Sequence, residues 1–245
     1  MSGEIFTSEE TSQIIAELEA ERDYWRKEPG ICVDPVTVAT PGSFWGRRWF
    51  EYERILHHNG APNTLLQVLD QRNVSPRIVD AGCAAGLALA DLRRYLPDAE
   101  LHGIDVRNAS LWTITDQSTG WNTTGRRLFS DHHIDFYQDS YHVVPDLVPS
   151  YDLLYCVGAM PDRSSSPAKQ LYVLQQFYKG LSEGGYVQVL MQSSDNHLTG
   201  IMQKLISSGV EVQFTQGDNQ VLQDNFFDSQ NGLWGTLTLG PKSGK

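Results

Sequence analysis

The sequence predicts an α/β fold built around a mostly parallel sheet. Three observations predict it. Ile78 and Val79 follow Pro76 and close a short buried run at Asp80. A turn of very small residues, Ala81 to Gly86, then leads into a helix with Leu89, Leu92 and Leu96 on one face, stopped by Pro97. The same unit recurs: short apolar runs at 100–105, 134–137, 151–158 and 186–191 alternate with helical or irregular stretches.

The small-residue turn points to a chemistry class through Asp80. A loop without bulky side chains lets a ligand lie against the backbone, and the helix behind it offers free N–H groups. A pyrophosphate-binding loop reads G-x-G-x-x-G. Here the order is Asp80-x-Gly82-x-Ala84-x-Gly86. A carboxylate at the strand mouth repels a phosphate and suits a ligand carrying an ammonium and a second cationic centre. Asp105 closes the second run near the ~20-residue offset at which an acid meets ribose hydroxyls in a nucleotide-binding βαβ unit.

From these residues the chain resembles the class I S-adenosylmethionine-dependent methyltransferases, whose first motif reads acid-x-Gly-x-Gly-x-Gly. Ala84 departs from it, and an alanine fits that place where the residue keeps a negative φ. The resemblance covers roughly residues 75 to 240. It implies a three-layer, Rossmann-like fold with a seven-stranded sheet and an antiparallel C-terminal pair. It implies S-adenosyl-L-methionine as cofactor, held by Asp80, Gly82, Cys83, Ala84 and Gly86 in the loop. Asp105 and Val106 fall at the ribose, Asp139 and Ser140 at the adenine, and Cys156 at the strand exit lining the reaction centre.

Composition narrows the partners. The 245-residue chain is 40% hydrophobic and 20% charged, which is globular and ample for one core with a small addition. A net charge of −11 argues against nonspecific nucleic-acid binding, which needs a basic footprint. Cys32, Cys83 and Cys156 are widely spaced and form no C-x-x-C, so free thiols are expected, with no zinc site or redox pair. The acidic N-terminus does not read as a signal peptide, and no apolar run approaches the ~20 residues needed to span a bilayer. The expected protein is cytoplasmic, without nucleic-acid or membrane partners.

In order, Thr7-x-x-Glu10 opens a helix to about Lys27 with Ile14, Ile15, Leu18 and Trp25 on one face. Residues 31–42 read as loop. Ser43 reads as N-cap of a helix from Phe44 to His58, crowded with Phe44, Trp45, Trp49, Phe50 and Tyr52. Most of these residues read as packing. The resemblance adds that N-terminal helices cover the cofactor, which marks Tyr24, Trp45, Arg48 and Trp49 as lid or substrate residues. A short helix from Thr64 to Arg72 reaches the first strand. A short helix near Ala109 to Gln117 and then an irregular loop are expected before the third strand, because the segment is rich in weak helix formers. Ser166-Pro167 starts a helix with Leu171, Leu174 and Phe177 on one face, and a helix from about Asn196 ends at Gly209. Strands at 210–215 and 233–239 close the sheet, joined by a polar connection with Phe226 and Phe227. The expected organisation is a helical cap at 1–74, a methyltransferase core at 75–240 and a tail at 241–245, as one domain of a longer protein or alone.

Methyl transfer from a sulfonium needs alignment and water exclusion, and a general base only for a protonated acceptor. Candidate bases at the carboxyl edge are His142, Asp162 and His197. The exit Val157-Gly158-Ala159-Met160-Pro161-Asp162 is not the Asn/Asp-Pro-Pro-Tyr/Phe turn of enzymes that methylate base or amide nitrogens. Methylation of oxygen or carboxyl in a small organic molecule or short peptide is therefore favoured over N-methylation, in a setting such as natural product biosynthesis. Two other readings stand beside it: a methyltransferase-like binding subunit without activity, and a dinucleotide-dependent oxidoreductase, against which Asp80 argues.

Overall fold

The computed structural model describes residues 5–27, 32–33, 48–57, 60–71, 75–116, 121–157, 166–193, 195–217 and 233–244. In chain order the elements are α1 (Ser8–Trp25), β1 (Cys32–Val33), α2 (Trp49–Leu56), α3 (Thr64–Gln71), β2 (Arg77–Ala81), α4 (Leu87–Tyr95) and β3 (Glu100–Asp105). They continue with β4 (Thr113–Asp116), β5 (Trp121–Thr124), α5 (Gly125–Asp131), β6 (Ile134–Gln138), α6 (Val144–Leu147) and β7 (Tyr151–Cys156). The chain then forms α7 (Pro167–Gly180), β8 (Leu181–Ser193), α8 (Asp195–Ser207), β9 (Val212–Gln216) and β10 (Leu233–Leu239).

Seven strands form the main sheet in the order β6-β3-β2-β7-β8-β10-β9. β10 runs antiparallel to both neighbours and the other pairs are parallel. The central parallel strands β2, β3 and β7 are buried on both faces, as crossover helices require, whereas β6 at the sheet edge is mostly half-buried. One core joins Ile78, Leu101, Leu153 and Tyr155 to α2, α3, α4 and α5. The other joins Val79, Ile104, Leu154 and Val189 to α1, α6, α7 and α8. The result is the three-layer arrangement that the resemblance implies.

Local chemistry explains the elements that match. Thr7 caps α1: its Oγ1 accepts from the Glu10 N–H at 3.2 Å, and Glu10 Oε2 accepts from the Thr7 N–H at 2.8 Å. Ile14 and Leu18 are buried against the α7 layer, while Ile15 and Trp25 are half-buried. Ser166 caps α7 through the Lys169 N–H.

Several expectations are corrected. The aromatic helix begins at Trp49, not after Ser43: Arg48 is extended, with φ −88° and ψ 163°, and its N–H donates to Glu51. Ser43 to Gly46 lie outside the described residues, as do Phe226 and Phe227. Within the expected loop at 31–42, Cys32 and Val33 form β1, parallel to Thr113 and Ile114 of β4. The segment expected to hold a helix near Ala109 to Gln117 has only a 3₁₀ turn at Ala109–Leu111, followed by the β4–β5 hairpin. The β-branched Thr113, Ile114, Thr115, Thr123 and Thr124 favour strands over helix. The crossover helix is instead α5, capped by Thr124. β8 starts at Leu181, ahead of the expected Tyr186, with a register shift against β7 where Gly184 has φ +73°. β9 starts at Val212 because Val210 still belongs to the turn after Gly209.

The β2–α4 loop departs most from expectation. Gly82 has φ +84°, Gly86 has +78°, and Ala84 between them has φ +48°. Alanine therefore occupies a left-handed position, not the negative φ that would suit its side chain. An L-residue held there costs roughly 1–2 kcal/mol, part of which a glycine returns through its freer unfolded chain. Ala84→Gly is expected to stabilise the protein by about 0.5–1 kcal/mol, raising the thermal midpoint by roughly 1–4 °C at this size. A lowered midpoint in a calorimetric scan would show that Ala84 is not strained.

Candidate functional site

The carboxyl ends of β2, β3, β6 and β7 bring the expected residues to one edge of the sheet. Asp80 is 1% exposed near the end of β2. Tyr52 of α2 donates to both of its carboxylate oxygens, at 3.2 and 3.0 Å. Burial pushes the Asp80 carboxyl up to about 7; the Tyr52 hydrogen bond opposes this, and the negative charge of Asp105 adds to it. Among the described residues, no basic side chain pairs with Asp80.

Asp105, also buried, ends β3. Its Oδ1 accepts from the Arg107 N–H at 2.9 Å and its Oδ2 from the Ala84 N–H at 3.1 Å. Burial raises this carboxyl to about 6 against the pull of those two amides. Asp105 thus holds the loop and the β3 exit together. The Gly82 and Cys83 N–H groups complete the tie by donating to the Ile104 carbonyl. Val106 beside it is half-buried. Cys83 and Cys156 are buried free cysteines, and burial pushes the Cys83 thiol up.

Asp139 follows β6. Its Oδ1 accepts from the Ser140 N–H at 2.8 Å and from Arg22 Nη1 at 3.3 Å. Arg26 Nη2 donates to the Gln138 carbonyl at 3.0 Å and lies 3.7 Å from Asp139 Oδ2. The Arg107 guanidinium stacks on the Trp25 ring, 4.1 Å from its centroid. The last turn of α1 therefore lies across the exits of β3 and β6. Nothing in the sequence flagged Arg22 or Arg26, because a solvent-facing arginine near a helix C-terminus is ordinary.

Other expected residues are placed differently. Arg48 grips Asp91 of α4 with two bonds, Nε to Oδ2 at 2.6 Å and Nη2 to Oδ1 at 2.5 Å, and the Trp49 N–H also donates to Asp91. Trp49 is buried edge-on against Tyr155. Tyr24 is 66% exposed and packs only edge-on to Trp25 among the described rings. Trp45 and Asp162 lie outside the described residues. His142 is buried with Nδ1 2.9 Å from Ser140 Oγ, and burial lowers its pKa. His197 is exposed on α8. The structure thus sets Asp80, the loop, Asp105, Asp139, Ser140 and Cys156 at one sheet edge, with His142 behind Ser140. Tyr141 is a further residue there: its desolvated phenol is raised well above its ordinary value, with Asp105, Cys156 and Cys83 adding to the shift. Among the described residues no group of three His, Cys, Asp or Glu side chains could hold a metal ion, and no helix is long and apolar enough to cross a membrane.

No family model matches the chain and no curated protein is similar to it. Solved structures are similar in fold. A putative sarcosine dimethylglycine methyltransferase from Galdieria sulphuraria aligns over 69% of this chain and 79% of its own, at 13% identity and TM-score 0.50. An O-methyltransferase family protein from Burkholderia thailandensis aligns over 96% of this chain and 60% of its own, at 11% identity and TM-score 0.45. A precorrin-6y C5,15-methyltransferase from Geobacter metallireducens aligns over 73% and 87%, at 11% identity and TM-score 0.43. With its seven-stranded sheet, antiparallel closing pair and helices on both faces, the chain has the class I methyltransferase fold.

Proposed function

We propose that the protein is an S-adenosyl-L-methionine-dependent methyltransferase acting on a small organic molecule or short peptide, at oxygen or carboxyl in preference to nitrogen. The observation that carries this reading is the pair of buried carboxylates, Asp80 and Asp105, flanking a loop of small residues. An uncompensated buried anion is expensive, and a ligand with an ammonium and a sulfonium offsets that cost where a phosphate would add to it. The cofactor supplies the activated methyl group. Gly82, Cys83, Ala84 and Gly86 give it a backbone surface, Asp105 and Val106 meet the ribose, Asp139 and Ser140 meet the adenine, and Cys156 lines the exit beside the reacting end.

In this reading residues 1–74 form a cap on the core at 75–240, with 241–245 as a tail. The last turn of α1 and the start of α2 exclude water, and His142 is a candidate base held by Ser140. The aromatic N-terminal helices favour a partly apolar acceptor. Widely spaced cysteines and an acidic surface favour the cytoplasm. Calorimetry with S-adenosylhomocysteine against NAD tests the cofactor: tight binding of NAD alone would overturn it. Turnover with a mixed acceptor panel then separates an enzyme from a binding subunit.

Asp105→Ala is expected to weaken S-adenosylhomocysteine binding about ten-fold or more, since a hydrogen bond to a charged group is worth ~1.5–3 kcal/mol. Unchanged affinity in the same calorimeter would remove Asp105 from the ribose.

Asp80→Asn is expected to weaken binding of S-adenosylmethionine while stabilising the ligand-free protein. Asp80 ionises near 3.9 in the unfolded chain and at about 7 when folded. Between those values the folded chain holds the extra proton, so this group lowers stability as pH rises towards 7. The variant's advantage should grow from pH 4 to 7, reach the order of a few kcal/mol and then level off. Urea unfolding across that range would show a constant difference if Asp80 were ionised throughout.

The lid reading rests on α1, whose buried residues are Ile14 and Leu18. Its last turn is held by partly exposed ion pairs, each worth about 0–1 kcal/mol. Replacing Arg22 and Arg26 together by Ala should speed release of S-adenosylhomocysteine several-fold with little change in unfolding midpoint. Stopped-flow release at the wild-type rate would make this contact ordinary packing.

A further inference from the structure

Strand register aligns polar side chains across the sheet. Asp80 of β2 stands beside Tyr155 of β7, Tyr155 beside Gln188 of β8, and Gln188 beside Thr238 of β10. All four are 2% exposed or less. α2 and α3 pack on β7, β8 and β10 over this row. Buried polar groups need partners, and most of the row has them. Gln188 accepts from Thr64 Oγ1 at 2.8 Å, donates to the Pro62 carbonyl at 2.8 Å and reaches Thr238 Oγ1 at 3.4 Å. Thr236 on the adjacent rung donates to the Leu56 carbonyl at the end of α2.

The Asp80 end of the row differs, because it carries a charge. The groups that face it are Asp105 from β3, Cys83 from the loop, Tyr155 from β7 and Tyr52 from α2. Asp105 is an anion, and among the described residues none of the four is basic. Tyr52 is the one that donates to the carboxylate, and it reaches both oxygens. A buried carboxylate with no donor takes up a proton. Tyr52 is itself aimed by its helix. Asp91 of α4 grips Arg48 and the Trp49 N–H, and Ile55 and Leu56 are buried beyond it. The placement of α2 therefore does not depend on the Tyr52 hydroxyl.

We propose that Tyr52 is a positioning residue that holds Asp80 as an anion, so that the seating of α2 sets the affinity of the loop for a cationic ligand. The consequence for S-adenosylmethionine rests on the function proposed above; the action of Tyr52 on Asp80 does not. Tyr52→Phe removes one oxygen and keeps the ring. Without the donor, the Asp80 carboxyl binds its proton more tightly, and the site loses its charge near neutral pH. The charge returns at higher pH.

Two measurements test this. In the ligand-free protein, the Asp80 carboxyl is followed by carbon-13 NMR, with Asp80→Asn identifying the signal. Tyr52→Phe should move its titration midpoint up by about one pH unit, the equivalent of one charge-assisted hydrogen bond of modest strength. Replacing tyrosine by 3-fluorotyrosine, a stronger donor, should move the midpoint down, which keeps the test open if the Phe variant does not fold. A midpoint that moves in neither case overturns the proposal. In calorimetry, Tyr52→Phe should bind S-adenosylmethionine about five-fold more weakly than wild type at pH 7, and the ratio should narrow towards unity by pH 8.5. A ratio that ignores pH would assign Tyr52 a structural role and overturn the coupling. If wild type itself does not bind S-adenosylmethionine, the methyltransferase reading fails, and the NMR titration still decides what Tyr52 does.

Discussion

Two carboxylates buried at adjacent strand ends constrain this whole edge of the molecule. Asp80 and Asp105 repel each other, and burial disfavours the charge on each. Such an arrangement persists only where donors are supplied from several elements at once. Asp105 takes amides from its own strand exit and from the β2–α4 loop. Asp80 takes a phenol from a helix 28 residues upstream. The loop, the β3 exit and α2 are therefore fitted to the acids, and a shift in any one of them exposes or strands a charge.

That dependence explains why the N-terminal helices are seated by polar contacts at their ends. α2 is locked at its start by Asp91 and in its middle by Asp80. α1 has apolar anchors at Ile14 and Leu18, then ends in a turn whose arginines reach Asp139 and Gln138. Lys169 of α7 adds weak contacts to Glu17 and Glu21. On the proposed function this gradient suits a cover: the anchored part stays, and the polar turn can be exchanged for ligand contacts at small energetic cost.

Much of the core was legible because its signals are local. β2, β3, β6 and β7 are short apolar runs between breakers, and Thr7 and Ser166 announce their helices through side chains three residues from their partners. What was not legible depends on distant partners. The start of α2 is set by Asp91, 43 residues away. The hairpin at β4–β5 pairs with β1, a two-residue strand that no periodicity could reveal. At the site, the acids and the loop were readable from their order, whereas Tyr52 looked like one aromatic among five and Arg22 like a solvent-facing charge.

Small residues in the β2–α4 loop answer to more than one demand, and the structure separates them. A methyl group at Gly86 would lie 2.2 Å from the Phe129 ring, and one at Gly103 of β3, which packs against the loop, would lie 2.7 Å from the Cys83 sulfur. Those two positions are closed by core packing, whatever the loop binds. Ala84 is different: its left-handed φ strains an L-residue, and its amide is turned onto Asp105. Strain of this kind persists where neighbouring contacts over-determine the backbone, and it gathers at functional sites. Gly86 therefore argues for the fold. Asp80, Ala84 and Asp105, each in a state that burial or backbone geometry disfavours, argue for a site.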